Sequence, residues 1–255
     1  MMKVGVVLAA VLALVAAACG SRSGSTATTT SGQTSPTASA ASSAIGYHPV
    51  IDPANFRATV DNPWFPLKPG STYIYTGTKD GKPSRDVYVV TAGTKLIDGV
   101  PCAIISDRLY LSGVLEEKTT DYYTQDLQGN VWYFGEATEE LDTNGNVTST
   151  EGSWLTGQDG ALPGVFMEAD PVVGHSFRQE YYAGHAEDQY QVVSLASSVT
   201  VPYGSFGNAI LTKEWTALEP AVLDHKLYVK GVGEVAELSV HGPVERARLV
   251  SYTAG

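Results

Sequence analysis

Nothing between residues 47 and 255 sustains a 3.6-residue apolar period. Short runs rich in Tyr, Val, Ile and Thr recur instead, each closed by Gly, Pro, Asn or Asp. Such runs read as strands and their separators as turns, and no helix is evident. The pattern predicts strands near 72–78 ("TYIYTGT"), 85–91, 100–111 ("VPCAIISDRLYL"), 114–125, 130–135 ("NVWYFG"), 176–183, 188–196, 199–203, 208–216, 223–230, 233–240 and 244–252. "KDGKPS" is a turn by its Gly and Pro, and "QDLQGNV" and "DTNGNVT" carry the polar-Gly signal of hairpins. Residues 152–175 hold five glycines and two prolines and show no period, so they read as a long structured loop.

An internal repeat is visible as well. "GSTYIYTGTKDGKPSRDVYVVTAGTKLIDGVPCAII" lies over "GHSFRQEYYAGHAEDQYQVVSLASSVTVPYGSFGNAIL", and Val89 falls on Val192, Gly99 on Gly204 and Tyr123 on Tyr228. The fold expected is all-β: an antiparallel, strongly curved sheet, half-barrel or barrel. Two tandem meanders, about 70–135 and 174–240, would build it.

The start of the chain sets its compartment. Lys3, the apolar run 4–18 and the small residues before Cys19 form an export leader, and that run is too short to span a bilayer. "AAAC" resembles the lipobox of bacterial lipoproteins, which predicts a signal peptide over 1–18 and a lipid on Cys19. Residues 20–46 are almost all Ser, Thr, Gly and Ala, a flexible tether with an end-to-end distance of roughly 30 Å. One β domain over 47–255 follows. Cys102 then has no partner for a disulfide and reads as a small buried hydrophobe. Loss of Lys3 with the leader turns the net charge of −11 into −12, a balance that argues against nucleic-acid partners.

Motifs for chemistry are sparse. In "QEYYAGHAEDQYQVV" one His185 with Glu187 and Asp188 lacks metal-ligand spacing, and "AGHAED" reads as a polar turn between two strands. "DTNGNVTSTEG" sets Asp142, Asn144 and Asn146 at alternating positions, a calcium alternative weakened by Val147 at the sixth place. Trp64, Trp132, Phe134 and Trp154 either complete the core or line an apolar cleft under 152–175, rimmed by Glu136, Glu151 and Glu180. Adjacent acids such as Glu116/Glu117 and Glu139/Glu140 point to opposite faces of a strand. No nucleophile elbow and no phosphate loop occurs. The candidate ligand-binding set is Trp64, Trp132, Phe134, Trp154, Glu136, Glu180 and His185, with no cofactor expected.

At "DNPWFPLKPGSTYIY", "GNVWYFGE", "EGSWLTGQDGALPG", "EYYAGHAED" and "YVKGVGEV" the chain resembles an uncharacterised family of exported bacterial lipoproteins of actinobacterial type. "KLYVKGVGEV" is also similar to the ending of half-barrel envelope proteins that carry lipids or lipoproteins. These resemblances imply an extracytoplasmic protein held at the cell membrane by its lipid, binding an apolar or amphipathic molecule or another envelope component. Two other readings stay open. One is a hydrolase using Glu136, Glu180, His185 or Glu187 as acid and base; the other is a purely structural surface lipoprotein.

Overall fold

The structure, a computed structural model, describes residues 46–255; the leader, Cys19 and the tether lie outside them. Sixteen strands and one 3-10 turn, Pro53–Asn55, are present, with no α-helix among the described residues. The strands are β1 Phe56–Arg57, β2 Thr72–Lys79, β3 Lys82–Ile97, β4 Val100–Leu111, β5 Val114–Asp126 and β6 Val131–Leu141. Then come β7 Val147–Ser149, β8 Trp154–Leu155, β9 Leu162–Met167, β10 Ser176–Arg178 and β11 Glu180–Tyr181. The last five are β12 Asp188–Val201, β13 Gly204–Thr216, β14 Leu223–Val229, β15 Gly233–His241 and β16 Arg246–Thr253.

The first three long hairpins turn in two residues: Asp80–Gly81, Asp98–Gly99 and Ser112–Gly113, all with positive φ. This is the primed turn whose twist matches that of the strands it joins. All pairings are antiparallel, in the order β10-β12-β13-β14-β15-β16-β2-β3-β4-β5-β6-β9-β11, with β1 on β5 and β7 and β8 on β6. Register shifts in the β3–β4, β12–β13 and β14–β15 ladders bend the sheet, as bulges do in curved sheets. The result is a nearly closed barrel with one seam.

The seam lies at β10 and β11, the two ends of the order, which only Gln179 separates in the chain. Ser176–Arg178 ladders on β12, and Glu180–Tyr181 then ladders on β9. One short segment therefore bridges the two edges. The crossing needs Gly164 in β9, because a Cβ there would stand 2.3 Å from the Arg178 carbonyl oxygen.

Two sequence expectations change here. Residues 152–175 are not one loop: β8 and β9 lie within them, and β9 is a wall strand between β6 and β11. The glycine that admits the seam also erases β9's strand signature. Residues 188–196 and 199–203 are not two strands; β12 runs unbroken to Val201, with register shifts between Val192 and Val199.

The two meanders correspond element by element. β3 ends at Ile97 and β12 at Val201, while β4 begins at Val100 and β13 at Gly204, each 104 residues on. Inward residues follow, with Ile105 matched by Ile210 and Tyr123 by Tyr228, all buried.

Residues 60–67 close one end of the barrel. Phe65 enters the lumen and meets Tyr123, Phe166 and Tyr228 at ring distances of 5.3, 4.6 and 6.4 Å. Asn62 holds this plug, its Nδ2 donating to the carbonyls of Gly129 and Glu168 at 2.9 and 3.0 Å. The outer wall is polar: Lys118 pairs with Glu139, and Arg85 lies over Tyr110.

Candidate functional site

In β3, Asp86 shares its phase with Tyr88 and Val90, which are core residues. The same alternation sets Asp107 behind Ile105, Asp121 before Tyr123, Glu214 after Thr212, and Asp224 and Lys226 before Tyr228. Every one of these residues is buried. Glu117, Glu136, Glu180, Asp188, Glu234 and Glu237 join them, so eleven carboxyl groups face the lumen. The single fully enclosed cation among them is Lys226.

Paired charges explain part of this arrangement. Lys226 Nζ lies 3.1 Å from Glu214 Oε2. Burial works against the ammonium, but Glu214, then Glu237 and Glu234, outweigh it and hold the lysine's pKa above its ordinary value. Glu214 also accepts from Thr212 at 3.0 Å and from Tyr228 at 3.3 Å.

Protons explain another part. Thr119 Oγ1 lies 3.1 Å from Glu117 and 3.2 Å from Thr138 Oγ1, which lies 2.9 Å from Glu136. The two hydroxyls thus link the two carboxyls into one buried row. Elsewhere burial, followed by the charge of Asp107, raises the pKa of Asp86 and of Asp121, although Tyr133 donates to Asp121 at 2.8 Å. Burial and then Asp188 and Glu136 raise Glu180, although Trp154 Nε1 donates to it at 2.8 Å. Glu234 is pushed up to about 8, chiefly by burial, with Lys226 opposing. The lumen holds its acids by protonating several of them.

It is also full. Tyr123, Tyr133, Tyr190, Tyr228 and Lys226 are each less than 2 % exposed. One lumen cavity, beside Tyr75, Asp86 and Glu237, and another, beside Phe65, Tyr88 and Glu234, each have a volume of about 10 Å³. That is room for one water apiece.

The residues singled out in the sequence do not share one pocket. Trp154, Glu136 and Glu180 are inside the barrel. Trp132 and Phe134 are on the outside of β6, packed with Phe56 at 5.8 and 5.7 Å in a second small core around Cys102. Trp64 lies at the plugged end, with Lys230 5.9 Å from its ring. His185 stands on the turn between β11 and β12, stacked on Tyr182 at 4.3 Å. Glu187, on the same turn, accepts from Gly184 at 2.9 Å. The acids of the hydrolase reading thus divide between the lumen, which holds Glu136 and Glu180, and a surface turn, which holds His185 and Glu187. Asp142 spends its oxygens on its own turn, accepting from the backbone of Asn144 and Asn146 at 2.9 Å each. Burial pushes the Cys102 thiol up to about 12.

A ligand-sized space exists on the outer wall, where no single sequence motif marks it. While Thr212, Glu214 and Thr216 face inward, Lys213 and Trp215 face outward on β13, with Lys213 Nζ 5.4 Å from the indole. Leu223 and His241 stand beside them, paired across β14 and β15. Residues 217–222 fold over this patch, and Val222 packs on the turn at Gly242, where a Cβ would meet Val222 Cγ2 at 3.1 Å. The cleft between Trp215, Pro220, Val222, Leu223 and His241 has a volume of about 620 Å³. That lies within the range of small-molecule sites.

No family model matches the chain, and no curated protein matches it. Two solved structures are similar. A candidate exported protein with a YmcC-like fold from Bacteroides fragilis is 14% identical, with a TM-score of 0.43 over 74% of this chain and 98% of that one. A candidate lipoprotein from Parabacteroides distasonis is 10% identical, with a TM-score of 0.40 over 75% of this chain and 99% of that one.

Proposed function

We propose that this chain is an exported barrel, anchored at the cell membrane through Cys19, that binds an apolar or amphipathic molecule on the outside of its wall. One observation carries the reading. Two cavities in the lumen, among the described residues, are water-sized, while the cleft at Trp215 offers about 620 Å³ walled by Trp, Pro, Val and Leu. A curved sheet alone would suggest cargo in its concave face; here that face is filled with tyrosines and acids. The leader and the Ser/Thr-rich tether supply the location, keeping the barrel within reach of amphiphiles at the membrane surface.

The probe N-phenyl-1-naphthylamine is neutral and fluoresces in apolar surroundings. We expect saturable enhancement with the wild-type chain, and affinity weakened about tenfold or more by Trp215→Asp or Val222→Asp. Enhancement that both substitutions leave unchanged would place the apolar site elsewhere and end this reading.

A further inference from the structure

The cleft has a polar side as well as an apolar one. We infer that its ligand is a single-chain amphiphile with an anionic headgroup, the head at Lys213 and His241 and the chain along Trp215, Val222 and Leu223. This deepens the cleft reading and rests on it. Among the described residues no carboxylate comes within 4.0 Å of Lys213 Nζ, in a chain that carries 27 acids against 16 basic residues. Lys213 faces His225 across the β13–β14 ladder, and His241 lines the cleft from β15. Burial and then Lys213 lower the pKa of His225.

The neighbouring acids turn elsewhere. Glu214 and Asp224 are buried on the lumen side of the same strands. The charge of Glu219, on the covering loop, acts on Asp224 and Glu245 at the barrel rim. The mouth of the cleft therefore presents Lys213, with no carboxylate among the described residues at ion-pair distance, and the imidazole of His241, above an apolar floor. A headgroup bearing phosphate or carboxylate would pair with Lys213, and its alkyl chain would cover the indole, Val222 and Leu223. A cationic amphiphile would bring like charge to Lys213, and a bare anion would leave the floor uncovered.

The test uses the full chain in detergent-free buffer, with dodecyl phosphate, dodecyltrimethylammonium and inorganic phosphate, all below micellar concentrations. Trp215 emission, isolated by difference against Trp215→Phe, reports occupancy. Saturable binding of dodecyl phosphate, weakened about tenfold by Lys213→Gln and by raised salt, with no response to inorganic phosphate, is the expected result. Equal binding of both dodecyl compounds, unchanged in Lys213→Gln, would overturn the headgroup assignment and leave an apolar cleft. A response to inorganic phosphate as strong as to dodecyl phosphate would overturn the amphiphile. No response to either dodecyl compound would take the cleft reading down with the inference.

Discussion

Raising the pH should destabilise this barrel well before its tyrosines or lysines titrate. Asp86, Asp121, Glu180, Asp188 and Glu237 all have pKa values above the ordinary carboxyl range, with burial the largest cause in each. Glu234 and Glu245 are pushed up to about 8 from an ordinary 4.5. A carboxyl that holds its proton in the fold but releases it when unfolded binds more protons in the native state. Stability then falls as pH rises. Glu234 and Glu245 contribute fully below about 4.5, and their contribution is lost as the pH climbs through about 8; the other five act in the same direction. Glu234 alone, at roughly 1.4 kcal/mol per unit, accounts for a change on the order of 5 kcal/mol. His225 acts in the opposite direction, because its lowered pKa favours the fold only above its ordinary value of 6.5, but it is one partly buried group. The melting temperature should be highest near about pH 5 and should fall by roughly 10 °C or more by about pH 9. A melting temperature flat over that interval would mean that the lumen acids are not protonated.

Lys226→Met should be the most damaging conservative-volume change in the lumen. It removes the 0 % exposed ammonium of Lys226 and leaves Glu214, 3.1 Å away and 1 % exposed, without its ion-pair partner. Breaking a buried pair from one side costs about 3–5 kcal/mol. For a domain of this size that corresponds to a drop of about 10 °C. The double variant Lys226→Met with Glu214→Met removes both charges, and much of the loss should return, since replacing a whole buried pair by hydrophobes is often neutral. Denaturant melts of the three proteins decide the point. A Lys226→Met melt that coincides with wild type would show that the pair contributes nothing.

Much of this architecture was legible in the chain, and the parts that were not have physical reasons. "KDGKPS" reads as a turn, and Asp80–Gly81 forms one there, with positive φ at both residues. The offset near 104 between the meanders survives as matched strand ends. β9 was hidden because Gly164, placed for the close pass of Arg178, looks like a loop residue in a linear reading. The acid lumen was hidden by a general rule: acids alternating with other residues read as a solvated face. "DVYVV" carries the contrary signal, since Asp86 is in phase with Tyr88 and Val90. The opposite phase of the same strands also holds Val and Tyr, so alternation alone left the inward face undecided. Trp154 was marked for its aromaticity, but its place in the lumen depends on Glu180, 26 residues away. The cleft at Trp215 depends on three strands and a covering loop, which no local pattern joins.

The claim that the ligand lies outside the wall is tested most directly by native mass spectrometry of the full chain purified from the envelope of an exporting host. Beyond the mass of the lipid proposed on Cys19, the wild-type chain should carry one extra mass of amphiphile size, and Trp215→Asp should lack it. A bare polypeptide in both, or an adduct that survives Trp215→Asp, would contradict the account.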